Sequence, residues 1–169
     1  GVVDVVAENK SRTLSLAVAL EHESEHPIAR AIVEYAHDQN VPKTHTTGFS
    51  ALSGRGVRAE IGGKKVYVGG PRLLEELKIT LSSRLQKTAE DASADGKTVV
   101  YIIEDKKVLG AIMLADVIRE ESKEAVATLH AMGKRVAMLT GDSKGVAAWV
   151  AKELGIKEYF AEVLPENKA

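Results

Sequence analysis

The sequence predicts an α/β (α+β) chain in which an antiparallel sheet flanked by helices is followed by a segment that alternates helix and strand. Three observations carry this. Apolar residues recur at helical spacing in the first forty residues and again further on. Short extended runs in the middle are joined by Gly62-Gly63 and Asp105-Lys106, dipeptides that suit tight hairpins. Past about Gly110 the order becomes helix, strand, helix, strand, which calls for parallel strands with crossover helices.

Between Arg12 and Glu21, Leu14, Ala17 and Val18 share one helical face, and Ser11 stands where a side chain caps the first turn. A second helix begins at Pro27, a residue suited to the first helical position, and runs through Ile28, Ala31, Ile32 and Tyr35 to about Asp38. Ser24-Glu25-His26 is then the junction between the two helices. Extended runs follow near residues 49–52, 56–61 and 64–68. Helical pattern returns over 72–77 and 82–94. Asp95-Gly96 then turns the chain into a strand over 98–103, which pairs with 108–114 and extends the same sheet. Residues 121–132, 135–139, 144–154 and 159–161 supply the alternating segment, with Gly133 and Gly155 placed as left-handed helix stops.

With 169 residues, 44% hydrophobic and 28% charged, the chain has the make-up of a packed protein of one or two small domains. Lys plus Arg number 23 and Asp plus Glu 24, so no overall field attracts nucleic acid or an anionic membrane. No nucleic-acid partner is expected. The absence of cysteine excludes disulfides, thiolate zinc sites and a thiol nucleophile. No apolar run reaches the ~18 residues of a membrane span, and no signal peptide is visible, so the chain is expected to be uninserted; a monomer is expected. The five histidines show no metal-ligand spacing, and no metal site is expected. A start without Met and an uncapped end at Pro165-Glu166-Asn167-Lys168-Ala169 suggest a piece of something larger.

Four features could carry chemistry. Glu21, Ser24, Glu25, His26 and Pro27 put acids and an imidazole round one interhelical corner. They serve either helix capping or a purine pocket, in which imidazole stacks on a base and a carboxylate accepts from an exocyclic amine. Ser53-Gly54-Arg55-Gly56-Val57 and Val68-Gly69-Gly70-Pro71 are glycine corners, suited either to turns or to close approach of a phosphate to backbone N–H groups. No Walker loop or dinucleotide fingerprint is present. Thr140-Gly141-Asp142 follows an apolar strand and opens onto a helix, where parallel sheets place phosphoryl sites and where Asp142 and Ser143 could also simply cap. Lys168 could meet a phosphate as a point charge or remain solvated.

Taken in order, Glu21, Ser24-Glu25-His26-Pro27, Gly54-Arg55-Gly56-Val57, Val68-Gly69, Asp116, Thr140-Gly141-Asp142 and 161–168 resemble the heavy-metal-transporting P-type ATPases over nearly the whole chain. Ser-Glu-His-Pro marks the heavy-metal branch, most simply a copper transporter. The resemblance implies ATP and Mg²⁺ as cofactors, with Glu21 and His26 on adenine and Gly54, Gly56 and Gly69 lining the path of the phosphates. Gly70 stands where the family commonly has Asn. Residues 8–109 would form the nucleotide-binding domain. Residues 1–7 and 110–169 would form part of a haloacid-dehalogenase-like, Rossmann-like phosphorylation domain, with Asp116, Thr140, Gly141, Asp142 and Lys168 at its phosphoryl site. Implied partners are the rest of that domain, the actuator domain and the transmembrane segments, at the cytoplasmic face of a membrane. The phosphorylated Asp of Asp-Lys-Thr-Gly-Thr and the Gly-Asp-Gly-x-Asn-Asp motif are absent from the sequence, so ATP binding with negligible turnover is expected. The competing classes are a partner-binding or structural domain and a haloacid-dehalogenase-like phosphatase. The latter wants an early Asp-x-Asp, where only Asp4 occurs.

Overall fold

The computed structural model describes residues 1–42, 44–115 and 118–163. Its elements group into two compact units, one of Gly1–Thr88 with Val99–Leu114 and one of Ala89–Thr98 with the chain from Ala115 onward.

In the first unit, strand β1 (Val2–Ala7) leads to helix α1 (Lys10–Glu21). The cap of α1 is Asn9, whose side chain accepts from the Arg12 N–H at 3.0 Å. Ser11, the expected cap, therefore lies inside the helix. Asn9 takes the position because its backbone is extended and its side-chain oxygen reaches an otherwise unpaired first-turn N–H. Helix α2 (Pro27–Asp38) opens with its proline in the first turn, as the sequence predicts. Then come β2 (Thr47–Leu52), β3 (Gly56–Ile61), β4 (Lys64–Gly69), α3 (Pro71–Leu77), α4 (Ser83–Ala94), β5 (Lys97–Glu104) and β6 (Lys107–Ala115).

The six strands form one sheet in the order β1-β6-β5-β4-β3-β2. Gly62 and Gly63, with φ of 58° and 77°, close the β3–β4 hairpin as the sequence predicts, and the two strands run antiparallel in register from Gly56↔Gly69 to Ile61↔Lys64. β1 is the element that periodicity misses. It lies at the sheet edge, antiparallel to β6, with Val5 buried in the core.

Val57, Ala59, Val66, Val68, Val100, Ile102, Ile112 and Leu114 present one sheet face to Leu14, Ala17 and Leu20 of α1 and Ile32 of α2. The alternate residues Val99, Tyr101, Ile103, Ala111 and Met113 are buried too, so β5 and β6 are covered on both faces. Each fully buried Leu or Ile contributes about 1.5–3 kcal/mol against the conformational entropy that opposes folding. This packing fixes the C-terminal end of α1, where the candidate carboxyl sits.

The second unit contains the end of α4 together with α5 (Glu120–Ala131), β7 (Ala137–Leu139), α6 (Lys144–Leu154) and β8 (Glu158–Phe160). β7 and β8 are parallel, with α6 as the crossover, which is the alternating α/β pattern the sequence predicts. Gly155, at φ 68°, ends α6 in the left-handed conformation. Gly96, at φ +74°, lies under the only tryptophan: a Cβ there would stand 2.2 Å from Trp149 Cδ2. Among the described residues no helix is long and apolar enough to cross a membrane.

Candidate functional site

The interhelical corner is built by α1 ending and α2 starting only a few residues apart. Glu21, the last residue of α1, is 7% exposed. Burial pushes its carboxyl from the usual 4.5 up to about 7, against the opposing pull of a hydrogen bond with the Ser24 side chain. The Ser24 N–H donates to the Glu21 carbonyl at 2.9 Å, and the Ser24 hydroxyl oxygen accepts from the His26 N–H at 3.3 Å. His26 is the cap of α2, and its Nδ1 accepts from the Ile28 N–H at 3.2 Å. An accepting Nδ1 requires the neutral ring to carry its proton on Nε2, so an exposed imidazole presents a donor at its far edge. Capping and ligand contact thus use different nitrogens of one ring. Glu25 contributes its backbone carbonyl, which accepts from Arg30 Nη2 at 3.3 Å, and Pro27 sets the first turn.

The glycine corners meet across the β3–β4 ladder. Arg55 N–H donates to Leu52 O at 2.9 Å, closing a turn in which Gly54 has φ +67°. Gly56 pairs with Gly69, and a Cβ on either would stand 2.1 Å from a carbonyl oxygen of the other strand, Val68 O or Arg55 O respectively. Both glycines are required by the backbone of the hairpin itself. Val57 is part of the core rather than of an open surface. Gly70 differs from these. It caps α3 with no side-chain hydrogen bond, at φ −83°, and a Cβ there would meet nothing nearer than Val99 O at 3.9 Å. Arg55 Nε pairs with Glu76 Oε2 at 2.9 Å and ties the turn to α3.

In the second unit Thr140-Gly141-Asp142 follows the end of β7, at the carboxyl edge of the parallel pair. The Thr140 hydroxyl donates to Asp142 Oδ2 at 2.6 Å and accepts from the Asp142 N–H at 3.1 Å. Glu162 N–H donates to Asp142 O at 2.9 Å, so the loop is held by the segment after β8. The cap of α6 is Ser143, which accepts from the Val146 N–H at 3.4 Å, and this leaves the exposed Asp142 carboxylate with Thr140. Asp116 and Lys168 lie outside the described residues. Among the described residues no group of three or more acidic or histidine side chains is placed to hold a metal ion. Two surface cavities of the first unit, about 310 and 590 Å³, are lined by residues of neither corner. The burial of Glu21 is the feature the sequence hides, because a Glu closing an apolar helix face is ordinarily solvated.

A profile of the haloacid dehalogenase-like hydrolases matches residues 1–167. The chain belongs to the haloacid dehalogenase-like hydrolase family. This haloacid dehalogenase-like chain is 45% identical over 171 aligned residues to "Copper-exporting P-type ATPase B" of Archaeoglobus fulgidus, a match that covers 100% of the chain and 24% of that relative. Among solved structures, the catalytic domain of the CPx-ATPase CopB-B, studied for its conformational changes upon nucleotide binding, is similar at a TM-score of 0.76 and 26% identity. That match covers 99% of this chain and 56% of the other. The N-domain of HMA6, a copper-transporting P-type ATPase, is similar at a TM-score of 0.54 and 28% identity, covering 67% of this chain and 95% of that domain. The resemblance to heavy-metal P-type ATPases therefore stands, and the chain spans about a quarter of the length of the curated relatives it matches.

Proposed function

We propose that this chain binds ATP as the cytosolic nucleotide-binding part of a copper-translocating P-type ATPase. The observation that carries the reading is the Glu21–Ser24–His26 corner, where a buried carboxyl and the backbone of a histidine both bond the Ser24 side chain and the exposed imidazole, with Nδ1 used for capping, keeps Nε2–H to donate. Adenine fits that pair: its exocyclic amine donates to the carboxyl, and its ring faces or bonds the imidazole. Guanine carries an oxygen in place of that amine and is bound less well.

Gly54, Gly56, Gly69 and Gly70 form the surface along which the phosphates run, with the backbone of Val57 between them and its side chain turned into the core. Residues 8–109 act as the nucleotide-binding domain, and residues 1–7 with 110–169 act as part of the phosphorylation domain. These boundaries differ from the compact units at 1–7, 89–98 and 110–114. Thr140, Gly141 and Asp142, with Asp116 and Lys168, support the phosphoryl group. Bound ATP supplies the transferable phosphoryl group, and Mg²⁺ arrives with it. The work of this chain is to hold the base and aim the γ-phosphate at an aspartate elsewhere in the parent protein, on the cytoplasmic side of the membrane. Its partners are the remainder of the phosphorylation domain, the actuator domain and the transmembrane segments.

Affinity is expected near 0.1–1 mM, roughly −5 kcal/mol, because base and glycine contacts act without a complete phosphate site. The test is an amide-shift titration with ATP, with and without Mg²⁺. Saturable shifts centred on Glu21, His26, Gly54, Gly56 and Gly69 support the reading, and ATP should outcompete GTP. Absence of saturation at several millimolar would sink it and favour a partner-binding domain. His26→Asn keeps an efficient cap while removing the ring, so it should lower ATP affinity several-fold at near-unchanged stability, whereas His26→Ala should also lose about 1 kcal/mol of capping. Unchanged affinity in His26→Asn would leave the histidine as a cap alone.

A further inference from the structure

The cavity of about 310 Å³ on the first unit shares no lining residue with the proposed nucleotide site. It opens where the β1–α1 turn meets the starts of α4 and β6. Three cations converge on it from three different elements: Arg12 of α1, Arg84 of α4 and Lys107 of β6. Glu8 is the one acid in the lining. Arg12 is neutralised by its ion pair with Glu104, which Lys64 also contacts. Arg84 and Lys107 have no ion pair among the described residues. Leu85 and Val108, both half-buried, line it beside these charges.

With a net charge of only −1, the chain has no general attraction for anions, so two unpaired cations against the single acid Glu8 in a largely apolar hollow are a local excess of positive charge. A guanidinium fork suits phosphate or carboxylate oxygens, an ammonium adds a point charge, and the apolar lining favours a ligand that brings hydrophobic surface of its own. The volume lies at the lower limit of ligand pockets, which run about 300–1,000 Å³, and it suits a single ring rather than a nucleoside triphosphate.

We infer that this cavity, walled by Arg12, Arg84, Lys107, Leu85 and Val108, is a second binding site, for a small organic phosphate or carboxylate bearing one ring-sized apolar group. The two head groups share the same recognition chemistry, and paired probes distinguish them. Binding here is independent of the ATP reading, because the lining contains none of the residues assigned to adenine or the phosphates.

The experiment is an amide-shift titration of this chain with phenyl phosphate and with phenylacetate, and with inorganic phosphate and benzyl alcohol as half-ligands. One or both ring-bearing anions should give saturable shifts at Asn9, Leu85, Lys107 and Val108, with Glu21, His26, Gly56 and Gly69 unmoved and a Kd of about 1 mM. Whichever binds tighter names the head group. Each half-ligand should bind at least about fivefold more weakly, and Arg84→Gln with Lys107→Gln should weaken the better anion about tenfold, since each lost charge-assisted contact is worth a large share of a weak affinity. Both side chains are exposed and unpaired among the described residues, so the rest of the spectrum should keep its folded pattern. The inference is overturned if neither anion saturates, if the double variant binds as before, if benzyl alcohol binds equally well, or if the shifts fall on the interhelical corner. ATP shifts at that corner, present or absent, decide the other reading separately.

Discussion

At position 21 a carboxyl is 7% exposed at the end of an apolar helix, and the cost of that burial falls on its charged form. Its folded pKa of about 7 lies above the ordinary 4.5, so between those two values the native state keeps a proton that the unfolded chain has released. Stability from this group is therefore highest below pH 4.5 and falls by about 1.4 kcal/mol per pH unit until the folded value is passed. The whole effect is on the order of 3 kcal/mol. Glu21→Gln removes the titration while keeping the shape. Urea unfolding at pH 4.5 and pH 8 should show the variant close to the parent at the lower pH and more stable at the higher one. The difference between the two proteins isolates this group, because every other titration is common to both. Parallel pH profiles would mean that the carboxyl is effectively solvated, and the pocket reading would lose the group that recognises the amine.

The β3–β4 hairpin separates glycines needed by the fold from the one free to take a side chain. Gly69→Ala would drive a Cβ to 2.1 Å from Arg55 O, a contact between the end of β4 and the hydrogen-bonded turn that leads into β3, which neither can relieve, and about 3 kcal/mol of stability should be lost. A loss of ATP binding in that variant would therefore carry no information about phosphate contact. Gly70→Asn is the informative change. Asn is favoured over Gly at a helix cap by a few tenths of a kcal/mol, nothing obstructs it, and it restores the residue common in heavy-metal P-type ATPases. Calorimetric titration should show ATP binding tightened about threefold, some 0.6 kcal/mol, with the melting temperature unchanged or slightly raised. Weaker binding would place Gly70 against the nucleotide backbone-first. The hairpin was legible in the sequence because Gly62-Gly63 between alternating runs has few other uses, and α2 because Pro27 marks its first turn. β1 and the Asn9 cap were not. A six-residue edge strand lies below the window in which periodicity is decisive, and Asn9 and Ser11 are both good cap residues whose choice depends on backbone angles. In the candidate site the residue types could be read, and the Gly62-Gly63 turn already sets Gly56 opposite Gly69, but the burial of Glu21 arises from packing that no local pattern shows.

The two compact units are not separated by a linker, because α4 and β5 both run across the division between them. Thr88 and Ala89 are neighbours inside α4, and Thr98 and Val99 are neighbours inside β5. If the second unit unfolded alone, α4 would be left with its first six residues, too short to hold a helix without the packing of Ala89 and Ala92. Unfolding is therefore expected to be cooperative across the division. The chain offers a direct check, because Trp149 is its single tryptophan and lies in the second unit. Trp149 fluorescence reports that unit, while far-UV circular dichroism weights all the helices and strands, and the two traces in urea should share one midpoint. ATP sharpens the test. At about ten times its Kd it should add about 1.4 kcal/mol, moving the melting midpoint by about 2–6 °C. That shift should appear in the Trp149 signal even though every residue proposed to touch the base lies in the first unit. A dichroism transition that moves with ATP while Trp149 fluorescence stays fixed would show instead that the chain melts at α4, and that nucleotide bound to the first unit stabilises that unit alone.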